Sequence, residues 1–280
     1  MQTRRTFIRN VTAAGTLCAF YPGNLMANPF KKEIGIQLYT IRDLVAKDLV
    51  GSLEKLAAIG YKTIETAGYG DGKFYGYAPA EFHSLVNGIG LKAVSSHSSL
   101  TLDNIEKTIE DTAAAGMQYL VQPSIPGDQR KTPDDYRKVA ESLNRMGELC
   151  NKAGLVLGYH NHAFEFEKMD DELPYDLLLK ETDPDLVTMQ LDTYWMVYGG
   201  YKPEDYFRDY PGRFKLWHVK DMAAGENRES TEIGSGIIDF PGLFSMRKKA
   251  GLECILVEQE EFRMDPWDSL AISWKYLNQL

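Results

Sequence analysis

The chain has 280 residues, a formal net charge of −9, 44% hydrophobic and 25% charged residues, and a mean hydropathy of −0.34. This is ordinary globular composition, which excludes a disordered chain and a disulfide-built miniprotein. The acidity opposes nucleic acid as a partner, because phosphates demand clustered Lys and Arg. The length fits one large α/β domain.

The first stretch, Thr3-Arg4-Arg5-Thr6-Phe7-Ile8-Arg9, sets twin arginines before a small-residue, acid-free apolar stretch from Val11 to Phe20. Such a pattern looks like a twin-arginine export signal, an address rather than part of a fold. The apolar stretch is too short to span a bilayer, which takes roughly 20 residues. Residues 1–28 are therefore expected to be the signal peptide and 29–280 the folded domain, exported to the periplasm. Removing residues 1–28 takes away three arginines and no acid, so the net charge shifts from −9 to −12. Cys150 and Cys254 then remain, read as plain buried thiols.

From residue 33 onward apolar runs alternate with helical text. The expected strands cover 34–39, 62–65, 91–97, 117–122, 154–159, 186–191, 214–219 and 253–257. Helices are expected from about 49 to 59, from Pro79 to Gly88 or Gly90, over 103–115, 133–152, 174–181, 203–209 and 240–250, and from Trp267 to the end. Gly60, Gly116 and Gly154 stand where helices should stop. Strands that are apolar along their whole length belong to a parallel sheet covered on both faces. Eight such units predict a single-domain (β/α)8 TIM barrel. A doubly wound open sheet would carry a Gly-rich phosphate loop after an early strand, and none stands there.

Four of the later strands end in a metal-type ligand: Glu165 after the fifth, Asp192 after the sixth, His218 on the seventh and Glu258 after the eighth. Barrel strand ends converge on the axis, so positions far apart in sequence become neighbours. Three carboxylates and one imidazole suit a single hard divalent cation, with Mn²⁺ first and Mg²⁺, Co²⁺ or Zn²⁺ as alternatives. Each of these residues taken alone reads equally well as a helix cap or a surface acid. The place given to Glu165 could instead be taken by His160 or His162. One of that histidine pair should face the axis, and His160 is the expected acid/base group, with His162 touching substrate. Lys220, two residues after His218, faces the same way and could neutralise a developing oxyanion. Gln37, Glu65, His97 and Gln122 end the first four strands and are candidate substrate contacts. Tyr39, Tyr69, Phe74, Tyr75, Tyr77, Tyr194 and Trp195 crowd the strand-end loops, where an aromatic could stack on the apolar face of a ligand; Trp195 is the one assigned to substrate.

The marks Gly35-Ile-Gln-Leu-Tyr39, Tyr159-His-Asn-His-Ala-Phe-Glu-Phe166, Leu191-Asp-Thr193, Trp217-His-Val-Lys-Asp221, Val257-Glu258 and Ile233-Gly-Ser-Gly-Ile-Ile-Asp-Phe240 resemble the sugar phosphate isomerase/epimerase superfamily of xylose-isomerase-like barrels. The resemblance covers nearly the whole chain after residue 33. It implies one divalent metal held by Glu, Asp, His and Glu, carried onto Glu165, Asp192, His218 and Glu258, with Glu165 and Glu258 also acting on the substrate. Ketose epimerases have the first glutamate closer to the fifth strand, where this chain has Gly158 or His160.

The expected function is a divalent-metal-dependent sugar isomerase or epimerase working through an enediolate on an unphosphorylated sugar. The alternative is a metal-dependent lyase or hydratase that β-eliminates a 3-keto-glycoside. A non-catalytic carbohydrate-binding barrel is the third reading. The expected partner is a small carbohydrate, with no nucleic acid and no membrane span, and a homo-oligomer is compatible with the sequence.

Overall fold

Eight short parallel strands close into a ring in the computed structural model, which describes residues 33–280. The expected export signal lies outside the described residues. The strands are β1 (Ile34–Gln37), β2 (Thr63–Thr66), β3 (Lys92–His97), β4 (Tyr119–Gln122), β5 (Val156–His160), β6 (Val187–Asp192), β7 (Leu216–Val219) and β8 (Cys254–Val257). Each pairs in parallel with its sequence neighbours, and β8 closes on β1 through Ile34↔Ile255 and Ile36↔Val257. The expected (β/α)8 barrel is the observed fold.

The interior is packed, not open. Tyr119 and Val121 of β4 meet Leu216 of β7 and Leu256 of β8 across the ring, with Val94, Val156 and Cys254 against them. Strand side chains alternate faces, so this cluster fixes the parity of every strand it touches. Val156, Gly158 and His160 share the inward face; so do Leu216, His218 and Lys220, and so do Leu256 and Glu258. Apolar residues therefore fill the floor, and polar residues of the same parity are delivered to the C-terminal rim.

The outer helices are α1 (Arg42–Lys47), α2 (Leu49–Ile59), α3 (Pro79–Ile89), α4 (Ile105–Ala114), α5 (Pro133–Lys152), α6 (Pro174–Glu181), α7 (Thr193–Tyr198), α8 (Pro203–Asp209), α9 (Phe240–Ser245), α10 (Arg247–Ala250) and α11 (Pro266–Gln279). Local chemistry sets their ends. Thr132 and Asp135 form a reciprocal capping box at the start of α5, and Gly154 follows it at φ 77°. The sequence does not reveal α1 and α7, because six residues are too few for a periodic signal. The single helix expected over 240–250 is two pieces meeting at Met246.

Two loops shape the rim. After β2, Tyr69–Gly70 pairs antiparallel with Lys73–Phe74 around a turn at Asp71 (φ 51°) and Gly72 (φ 72°). After β7, the Asp221 carboxylate accepts backbone N–H groups from Met222, Gly234, Gly236 and Ile238 at 2.8–3.2 Å, pinning the long polar loop.

Gly35 permits the closure of β1 between its neighbours. A methyl group there would sit 2.2 Å from Thr63 Oγ1, 2.9 Å from Leu256 Cδ2 and 3.0 Å from the Ile255 carbonyl. Overpacking of this kind costs about 1–3 kcal/mol. Gly35→Ala should therefore lower the free energy of unfolding by that amount, read as a lower urea midpoint at unchanged slope; an unaltered midpoint would show that the seam can relax.

Candidate metal centre

His160, Asp192, His218 and Glu258 each offer a ligand atom such that all four lie within 4.8 Å of one another. All four are buried at the barrel rim. His97 joins His160 and His218 in an overlapping group of the same span. Asp192, His218 and Glu258 thus meet, although they are spread over 66 positions of sequence.

Glu165 is not in the group, which corrects the expected ligand set. Its carboxylate accepts a hydrogen bond from Tyr159 Oη at 2.5 Å and one from the His162 backbone N–H at 2.9 Å. Tyr159 is the outward neighbour of His160, so Glu165 faces the layer between β5 and the helices. The place open to Glu165 or a histidine is taken in this group by His160, because β5 runs one residue beyond its expected end. Glu165 is instead a positioning residue that ties the 160–162 turn to its strand.

Each member of the group is oriented from behind. Asp192 Oδ1 caps α7 by accepting the Trp195 N–H at 2.9 Å, while Oδ2 has no hydrogen-bond partner. Asn161 seals the β5 and β6 ends, accepting the Asp192 N–H at 3.0 Å and donating to its carbonyl at 3.4 Å. His218 Nε2 bonds Glu65 Oε1 at 2.5 Å, and its Nδ1 abuts Glu258 Oε2. That second contact lies off the line of a ring N–H, leaving Nδ1 without a proper hydrogen bond. His160 Nδ1 also lacks a partner.

Glu65 is therefore a support beneath the mouth and not the expected substrate contact. It is sealed from solvent and receives Gln37 Nε2 and Gln190 Nε2, each at 2.7 Å, besides His218. His97 Nε2 lies 3.2 Å from Glu65 and 2.6 Å from Gln190 Oε1. Because the Gln190 amide nitrogen donates to Glu65, its oxygen accepts, and His97 carries its proton on Nε2. Gln37 is consumed likewise, giving Nε2 to Glu65 and accepting the Tyr39 N–H at 3.0 Å. Gln122 accepts the Leu100 N–H and donates to the Ser124 carbonyl, both at 2.7 Å, so it holds two loops together. Both amides thus carry hydrogen bonds that hold the protein's own loops and strand ends.

Electrostatics follow from this enclosure. Burial would raise Glu65, but His97 and His218 and their hydrogen bonds outweigh it and hold the carboxyl down to about 2. Burial would lower His218, yet Glu258 and Glu65 on either side bring it up to about 10. Burial, reinforced by the neighbouring imidazoles, keeps His160 well below its ordinary value and thus neutral. His162 is brought down to about 4, chiefly by burial. Lys220 is buried, with Nζ 3.4 Å from Glu258 and bonded to Glu260, above the faces of Tyr194 and Trp195 at 4.9 and 4.8 Å. Burial alone would lower it; Glu258, Asp192 and Glu260 keep the ammonium above its ordinary range.

These residues fit a divalent cation. The four residues converge, Asp192 and His160 each keep a buried atom without a hydrogen-bond partner, and the His218 ring is turned by a carboxylate on Nε2. A carboxylate behind a histidine is the usual way a metal-binding imidazole is held. Two imidazoles and two carboxylates are less oxygen-rich than the sequence implied, so Mg²⁺ fits less well than Mn²⁺, Co²⁺ or Zn²⁺.

Above the group opens a mouth of about 660 Å³, lined among others by Tyr39, Tyr69, His97, His162, Trp195 and Glu258. Of the other rim aromatics, Phe74 and Tyr75 turn away and pack on Phe82 at 5.4 and 6.0 Å. Sequence reasoning missed Asn161, Gln190 and Glu260. Asn161 lies between two histidines and Gln190 two residues before Asp192, on its face, but only the fold gives either residue its partners.

The chain belongs to the xylose isomerase-like TIM barrel family, whose profile matches residues 53–277. A sugar phosphate isomerase/epimerase from Parabacteroides distasonis superposes with a TM-score of 0.76 at 33% identity, covering 87% of this chain and 92% of that one. A 3-keto-D-glucoside 4-epimerase from E. coli shares the fold, with a TM-score of 0.66 at 17% identity over 89% of this chain and all of that one. Among curated proteins, the inosose dehydratase of Lacticaseibacillus casei is 27% identical over 146 residues, 45% of this chain and 48% of the relative. The match thus spans about half the length of that relative.

Glu165 generates a pH prediction. Burial pushes its carboxyl up to about 8, against hydrogen bonds from Tyr159 and the backbone that pull the other way. With the folded value above the unfolded one of 4.5, its contribution to stability is complete below that pH and is lost as pH rises through about 8. Glu165→Gln, which cannot ionise, should fall less in stability between pH 5 and 9 than the parent, by about 4 kcal/mol. Parallel stability curves for the two proteins would contradict the assignment.

Proposed function

We propose that the protein is a divalent-metal-dependent isomerase or epimerase acting on an unphosphorylated sugar, taking the proton from the carbon beside a carbonyl so that an enediolate forms. The single observation carrying this reading is the convergence of His160, Asp192, His218 and Glu258 beneath an open, ligand-sized mouth. A divalent cation held by those four would polarise the carbonyl and its neighbouring hydroxyl.

The chain's own residues supply the rest. His162 lines the mouth and burial holds it neutral, so its imidazole can accept a proton from a bound substrate carbon. It stands edge-on to His160 at 4.9 Å and parallel to Phe164 at 5.6 Å, which fixes its plane. His160, the base expected from sequence, is drawn into the ligand group, and the proton-transfer role passes to His162. Lys220 keeps Glu258 ionised and places a positive charge beside the reacting region. Tyr39 and Trp195 offer walls for the apolar face of a sugar.

A phosphate is poorly provided for. Among the described residues lining the mouth the one formal cation is Lys107, already paired with Asp111, whereas Asp71, Glu258 and Glu260 bring negative charge. Export through the twin-arginine route belongs to the same proposal, since an unphosphorylated sugar is what a periplasmic enzyme would meet.

The likeness to inosose dehydratase favours a second reading, a lyase in which the same proton removal is followed by loss of the β-substituent. Proton NMR in D2O separates the readings. With Mn²⁺-loaded protein, deuterium should enter one carbon of a ketose or 3-keto-glycoside with the rest of the molecule intact. Release of the substituent would establish the lyase, and no exchange with any keto sugar would leave a binding barrel. His162→Ala should cut the exchange rate by about 10²–10⁴ at unaltered metal content.

A further inference from the structure

A second cavity, of about 630 Å³, adjoins the mouth. Its floor and sides come from Leu100, Ile125, Val139, Leu143 and Met146, with Leu102 exposed at its edge. Ser99, Pro123 and Ser124 line both spaces, so they are two lobes divided by one thin wall of loop. We propose that this lobe is a subsite for an apolar aglycone, so that the substrate is a keto-glycoside and not a free monosaccharide. The inference rests on the functional reading above and specifies its substrate.

Three observations carry it. The mouth alone is already of ligand size, since small-molecule sites run to roughly 300–1,000 Å³, and a single hexose leaves the second lobe unexplained. The dividing wall is built, not accidental: Gln122 lies at its base with one amide atom on the Leu100 N–H of one loop and the other on the Ser124 carbonyl of the next. Ser98 N–H adds a bond to the Val121 carbonyl at 3.0 Å. These bonds hold the loops of the wall in place.

The third observation is the chemistry of the lining. A second sugar would need an aromatic platform and several free donors and acceptors. Among the described residues this lobe has no aromatic side chain. The buried part of the lining is Leu100, Ile125, Leu143 and Met146, with Gln122 hydrogen-bonded to the loops on either side, whereas Thr101, Asp128, Gln129 and Lys138 are exposed. A buried aliphatic floor takes a hydrophobic group.

Phenyl and methyl 3-keto-β-D-glucopyranosides differ in the aglycone alone and test the proposal directly. The phenyl glycoside should be turned over with kcat/KM at least tenfold higher by the Mn²⁺-loaded protein. Val139→Trp, which fills the lobe from α5, should erase that preference and leave the methyl glycoside within about twofold. Leu102→Asp, at an exposed position, should do the same by adding a charge if the tryptophan variant folds poorly. Equal kcat/KM for the two glycosides in the parent, or a preference surviving in both variants, would overturn the subsite. Should neither glycoside react, the functional reading fails by itself. Saturation-transfer NMR with phenyl β-D-glucopyranoside then decides the subsite: phenyl-ring signals in the parent that vanish in Val139→Trp support it, and their absence from the parent refutes it.

Discussion

The contact between Glu65 and His218 is the constraint on which the rim depends. Glu65 is a fully buried carboxylate on β2, and His218 comes from β7, well away around the ring. A carboxylate sealed from water is costly unless hydrogen bonds and opposite charge surround it. Gln37, Gln190, His97 and His218 do so, and in return each has its orientation fixed. The His218 ring is turned so that Nδ1 meets Glu258, in the group that His160 and Asp192 complete. Polar side chains at the top of the barrel thus form two tiers, the lower one spent on holding the upper one still.

Parity explains how so simple a chain pattern can build this. One cluster across the floor fixes which residues of β4, β5, β7 and β8 face inward, and the polar residue at each strand end inherits that direction. His160 and Tyr159 illustrate the consequence. One residue apart, they go to opposite sides of the wall, and Glu165 follows Tyr159 outward. The same alternation puts Lys220 two steps above His218, where two glutamates and two aromatic faces enclose its charge.

The barrel was legible because apolar runs repeat eight times, with helix-ending glycines such as Gly60, Gly116 and Gly154 between several of them. Asp192, His218 and Glu258 were legible because each directly ends or follows such a run. Glu165 misled for a physical reason: it lies after a turn, and strand parity no longer governs a side chain once the backbone has turned. Its likeness to a family ligand pointed the same way, and the length of β5 decided otherwise. Gln37, Gln122 and Glu65 were visible as polar residues at strand ends, but whether such a group faces substrate or supports a neighbour depends on partners up to 153 residues away, as with Glu65 and His218. The short helix α7 was hidden, although Asp192, which starts it, was not. Helix cap and cluster member, alternatives on the sequence, are both true of that residue, one for each carboxylate oxygen.

The central claim is that His160, Asp192, His218 and Glu258 hold one divalent cation and that Glu165 does not. Electron spin-echo spectroscopy of the Mn²⁺-loaded protein counts the imidazole nitrogens bound to the metal. The account predicts two, falling to one in His160→Ala and staying at two in Glu165→Gln. A single bound nitrogen in the parent, with Mn²⁺ lost from Glu165→Gln, would contradict it.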